Sequence, residues 1–309
     1  MTGAELAGGD ALHELRFALA EGQAVRPARS LRSRVIGAAL QQRPAGRPSP
    51  RPDHVSGAEV FRRATTSLDG LLGDLVPEEW TRPAVRDLDV QGLIGHLIGV
   101  ESDFGASLEG RPGPGRAEHV SSTEPAARAQ RGRPVGDTRR DWSDLVSRTL
   151  ALLAGAEAGE VPMGWYGITL PLDQVLVVRA FEVWIHESDI RRVTAGPPAD
   201  PDAESLARMT GLAVGLLPAG VAMAGRARPG RTARLVLTGP GGGTWDVSLD
   251  PGSEGTRERP AATRVVVDAA AFCRIVGNRS DLAGARGLVS GDRDLAEDLC
   301  AGAAALALD

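Results

Sequence analysis

At 309 residues the chain has room for two domains, each with its own core. A formal charge of −5 and a pI of about 5.7 give no general attraction to nucleic acid. All 35 basic residues are arginine, which beside heavy alanine and glycine usage points to the coding bias of a GC-rich genome rather than to phosphate binding.

Cys273 and Cys300 are the only cysteines, both in apolar helical contexts, which argues against a disulfide framework or a cysteine-based zinc site. No run approaches 18 uninterrupted apolar residues, and the N-terminus lacks a charged stretch followed by an apolar one. The expectation is a soluble, cytoplasmic protein without membrane or nucleic-acid partners, monomeric or homodimeric.

Residues 1–55 form an appendage: short helices near 11–20 and 31–40, then a Pro- and Arg-rich extended linker. Its spaced arginines read as a solvated face. The first domain opens at Ser56, whose spacing to Glu59 is a capping box ahead of a helix with Val60, Ala64, Leu68, Leu71 and Leu75 on one face. Trp80, Pro83 and Val85 belong to a connection packed by its own apolar residues, and Asp89 caps a second helix. There His96 lies among Leu93, Ile94, Leu97, Ile98 and Val100, with Gly92, Gly95 and Gly99 spaced to admit a neighbouring backbone. A lone histidine on such a face fits a satisfied core position as well as a ligand.

Residues 110–136 read as a long surface connection of the kind that forms lids, with one turn of helix near 124–131 and a solvated His119. Asp137 opens an amphipathic helix carrying Trp142, Leu145, Val146, Leu150 and Leu153. A short hairpin over 161–172 leads into a helix of about six turns at 171–193. On that helix Val177, Ala180, Phe181, Trp184 and Ile185 make a core face, while Arg179, Glu182, His186 and Asp189 form one polar stripe. The stripe fits a solvated face or a polar pocket against a second helix, and its aliphatic borders suit the pocket.

A helix from Asp202 to about Leu217 follows, then a linker over 218–231. Strands at 232–239 and 243–250 flank a glycine-rich turn, in which no Gly-Lys-Ser/Thr phosphate loop occurs. A third strand, a helix near 269–277, a short strand near 288–290 and a last helix from Asp294 to about Leu306 complete a small α/β unit. The division expected is 1–55, 56–225 and 230–309.

Glu182 and His186 stand four apart and share a side of their helix. With His96 from a second helix they make two imidazoles and a carboxylate with an open fourth position, the donor set of a catalytic zinc site. Asp189 is placed to orient a ligand from behind.

The segments RDLDVQGLIGHLIGVE and RAFEVWIHESDIRR resemble the mycothiol-dependent maleylpyruvate isomerase family over about residues 56–193, and residues 232–309 resemble its C-terminal domain. That resemblance implies an α+β protein: a DinB-like four-helix bundle, then a small α/β domain similar to sterol-carrier folds. It implies His96, Glu182 and His186 as metal ligands, zinc or another divalent ion as the metal, and mycothiol as thiol cofactor. It further implies a catalytic arginine in the C-terminal domain, Arg279 or else Arg286. The partners implied are a small-molecule thiol and an electrophilic substrate, with the sulfur adding to an electrophilic carbon in an isomerase or S-transferase reaction. Residues 28–40 resemble tails of anti-sigma factors, which leaves a non-catalytic metal-binding regulator as the alternative.

Overall fold

The computed structural model describes residues 54–111, 113–154, 161–250 and 260–307. The expected helices and linker of the appendage, with its spaced arginines, lie outside these residues. Residues 51–309 form one compact unit.

Helix α1 (Gly57–Asp74) starts where Ser56 Oγ accepts from the Glu59 amide at 3.2 Å, while the Glu59 carboxylate accepts from Arg62 and Arg63 instead of completing the expected capping box. Strands β1 (Pro83–Val85) and β2 (Leu88–Asp89) pair, and Asp89 then caps α2 (Val90–Leu108), its Oδ1 taking the Gly92 amide at 2.7 Å. After α2 the chain departs from expectation. Residues 119–130 are not a solvated loop with a single turn. They form a helix of 12 residues, α3 (His119–Gln130), laid along α2. Two glycines make this contact possible. A Cβ on Gly95 would stand 2.7 Å from Ala127 Cα, and one on Gly99 would stand 2.9 Å from Thr123 Cα. Gly92 instead faces its own cap and Leu88.

Helix α4 (Val135–Ala154) buries Trp142, Val146 and Leu153. The hairpin of β3 (Pro162–Trp165) and β4 (Ile168–Pro171) turns at Tyr166 and Gly167, both with positive φ, and delivers the chain into α5 (Leu172–Val193). The bundle is α1, α2, α4 and α5, with α3 packed outside α2. The polar stripe of α5 faces inward: Arg179, His186 and Asp189 are buried. Phe181, expected in the core, is only half-buried and borders a cleft.

Asp202 caps α6 (Ala203–Met223), which runs six residues past the expected end and carries Pro218 within it, so the first part of the expected linker is helix. This helix is long and apolar enough to span a membrane by composition, but Leu206, Met209, Ala213, Val214, Leu217 and Val221 are buried against protein. One stretch packs on α1 and α5, another on the C-terminal helices.

Beyond it, β5 (Thr232–Thr238), β6 (Gly243–Ser248), β7 (Thr263–Asp268) and β8 (Leu288–Gly291) form a sheet in the order β6-β5-β7-β8. Only the β5–β7 pair is parallel. Helices α7 (Ala269–Val276) and α8 (Arg293–Ala304) pack between this sheet and α6. The fold is α+β.

Candidate metal centre

Three donor atoms from two helices meet inside the bundle. His96 on α2 and Glu182 and His186 on α5 each offer one ligand atom, and all three atoms lie within 4.8 Å of one another. His96 and His186 are each 1 % exposed. In water-free surroundings polar atoms find partners, yet His96 Nε2, Glu182 Oε1 and His186 Nε2 have none.

The opposite atom of each group is tied down. The Thr123 hydroxyl donates to the His119 carbonyl at 3.0 Å, so its lone pair faces His96 Nδ1 at 2.7 Å. That nitrogen therefore carries the proton, and Nε2 keeps a free lone pair. His186 Nδ1 lies 3.3 Å from Asp189 Oδ2, an atom that only accepts, which leaves Nε2 free here as well. Glu182 Oε2 accepts from Arg179, leaving Oε1 to face His96 Nε2 at 3.6 Å. Each donor is thus aimed by a second group, the usual support of a metal ligand.

Electrostatics favour a cation. Burial pushes the Glu182 carboxyl up, but the Arg179 guanidinium and the neighbouring histidines outweigh it and hold the group well below the usual carboxylate range. Arg179 is fully buried, donates to Glu101 Oε2 at 3.0 Å as well as to Glu182, and stacks over Trp165 at 5.5 Å. Two carboxylates against one guanidinium leave one negative charge in a dry place. Burial pushes His96 down to about 4, so it is neutral at ordinary pH, as a ligand must be.

His119 corrects the sequence reading. Far from solvated, it is 1 % exposed, with Nε2 3.3 Å from Glu182 Oε1 and its ring edge-on to Tyr166 at 4.4 Å between centroids. Neither of its nitrogens has a hydrogen-bond partner. Tyr166 is held by its hydroxyl donating to Asp103 Oδ2 at 2.9 Å. The signal in the sequence was the pair His119 and Thr123, four apart on a helix whose Ala127 matches a glycine notch of α2.

Arg279 stands behind the centre. Its Nε and Nη2 donate to the two oxygens of Asp189 at 3.0 and 2.9 Å, so it touches the carboxylate that orients His186 and not the converging donors themselves. The hydrogen bonds from His186 and Arg279 outweigh burial and keep Asp189 below the usual carboxylate range. Arg286 is exposed. Burial pushes the Cys300 thiol up to about 12 and the Cys273 thiol higher still, so neither supplies a thiolate at neutral pH.

Residues 61–191 match the family described as "Mycothiol maleylpyruvate isomerase N-terminal domain". Among solved structures, the crystal structure of the mycothiol-dependent maleylpyruvate isomerase is 16 % identical with a TM-score of 0.49, covering 72 % of this chain and 88 % of that one. A mutant of that enzyme gives the same identity and TM-score over 76 % and 92 %. No curated protein matches the chain. Over residues 61–191 the chain is similar to the mycothiol maleylpyruvate isomerase N-terminal domain family.

Proposed function

We propose that the protein is a zinc-dependent enzyme that uses a small-molecule thiol, mycothiol by its family, to attack an electrophilic carbon, as an isomerase of the maleylpyruvate type or as an S-transferase. The observation that carries this is the convergence of three buried, unpartnered donor atoms from His96, Glu182 and His186. Two histidines and one carboxylate leave a fourth position for an external ligand, as catalytic zinc sites do. A divalent ion in that position of the fold supplies the charge that keeps a thiol ionised near neutral pH.

The residues of the chain do the rest. Thr123 and Asp189 fix which imidazole nitrogens face inward. Arg179 occupies the second oxygen of Glu182, so that only Oε1 is offered. The cluster of Glu101, Arg179 and Glu182 carries one negative charge, and a dication with one thiolate brings the sum to zero. His119 Nε2 stands 3.3 Å from Glu182 Oε1, so its ring borders the converging donors. With both cysteines held as thiols, the sulfur comes from outside the chain.

Metal analysis of the protein as purified, paired with His96→Ala, tests this reading. About one zinc per chain in the parent and loss of it in the variant is expected. Equal, negligible metal in both would end it. With cobalt in place of zinc, added mycothiol should produce a sulfur-to-cobalt charge-transfer band, and its absence would remove the thiol from the scheme.

A further inference from the structure

One cleft borders two of the residues that carry the converging donors. It lies between α5, α6 and α7, with a volume of about 90 Å3, and Glu182 and His186 are among its lining residues. Phe181, Leu212, Leu216, Val276 and Leu306 form its walls. Among the described residues that line it there is no arginine, and His186 is the sole basic side chain. A dicarboxylate entering here would leave its hydration shell without gaining a counter-charge from the walls. An uncharged aryl or alkyl body would instead bury its surface against aliphatic and aromatic walls.

A second opening, lined by Arg86, Arg128 and Arg131, also reaches His96. It meets that ring together with Thr123, the partner of Nδ1, so it lies behind the nitrogen that faces Glu182. The arginines are on the wrong side of the imidazole to steady an anionic substrate at the donors.

We propose that the electrophile taken by this centre is uncharged and apolar, and that the reaction is transfer of the thiol to it. This rests on the thiol-dependent reading above and narrows its substrate class. For an aryl halide the bookkeeping of atoms is complete. The thiol sulfur forms a bond to the ring carbon, the carbon–halogen bond breaks, the halide leaves with the electron pair, and the thiol proton is released to solvent water. Nothing is oxidised or reduced.

The test uses the zinc-loaded full chain with mycothiol and, in turn, chlorodinitrobenzene and maleylpyruvate. The expected result is a kcat/KM at least tenfold higher for chlorodinitrobenzene. Leu212→Glu, which places a charge in the wall, should lower that value at least tenfold while leaving the cobalt–thiolate band unchanged. Leu216→Glu is a second variant with the same expectation, should the first fold poorly. Nile red, an uncharged probe that needs no thiol, should bind the parent and bind both variants at least fivefold more weakly. Preference for maleylpyruvate, or wall variants that keep full activity and probe binding, would overturn the proposal while the thiol band still stands. Loss of the band with Nile red still bound would instead sink the thiol reading and leave the apolar ligand class in place.

Discussion

At the scale of single residues, His119 separates metal holding from chemistry. Its donor atoms are not among the three that lie mutually within 4.8 Å, yet Nε2 faces Glu182 Oε1. His119→Ala should therefore keep the metal content of the parent while turnover falls about 10–100-fold, the usual effect of removing a group that supports a metal ligand. Metal analysis and single-substrate kinetics on one preparation decide it; loss of metal would make His119 a ligand instead. His96 also sets an acid limit. Burial holds His96 near 4 in the fold, against 6.5 in the unfolded chain. Between those values the unfolded chain takes up a proton that the folded one refuses, so stability is full above the upper value and falls as pH drops toward the lower. Glu182 and Asp189, held below their ordinary range, add losses of the same sign at lower pH. Urea midpoints of the metal-free protein should thus be lower at about pH 5 than at about pH 7.5.

At the scale of elements, the glycine-notched contact of α2 with α3 positions Thr123 and His119 together. Gly99→Ala would gain about 1 kcal/mol in helix propensity. Its Cβ would however stand 2.9 Å from Thr123 Cα, with backbone that has nowhere to go. We expect a net loss of about 1–3 kcal/mol and weaker metal binding, read by urea unfolding and a chelator competition. This contact also shows where the sequence was legible. The stripe of α5, the caps at Ser56 and Asp89, the helix start at Asp202, the hairpins and two of the three glycine notches of α2 were readable from spacing and turn chemistry. Helix α3 was not, because its twelve residues carry Pro125 and too few large apolar side chains to show a period. It is helical because small residues let it lie close to α2, a reason that lives in its neighbour. The inward aim of the stripe was likewise undecided in the sequence, since a charged ladder looks the same whether it meets water or a buried arginine.

For the whole molecule, α6 and the Asp189–Arg279 contact join the bundle to the sheet domain. The resemblance that suggested Arg279 placed it near the site, and the geometry gives it a partner: the carboxylate that orients His186. If it acts through that carboxylate, Arg279→Met and Asp189→Asn should each weaken metal affinity, the latter by about 10–100-fold, with the double variant no worse than Asp189→Asn. Unchanged affinity with a lower kcat would make Arg279 a group that touches substrate. The residue follows α7 by a short turn, its amide bonded back to the Arg274 carbonyl at 2.8 Å. An ion gripped inside the helical half should then quieten a segment that never meets it. Deuterium uptake at the amides of α7 and of the turn after it ought to slow when zinc is added, and that protection should vanish in Asp189→Asn.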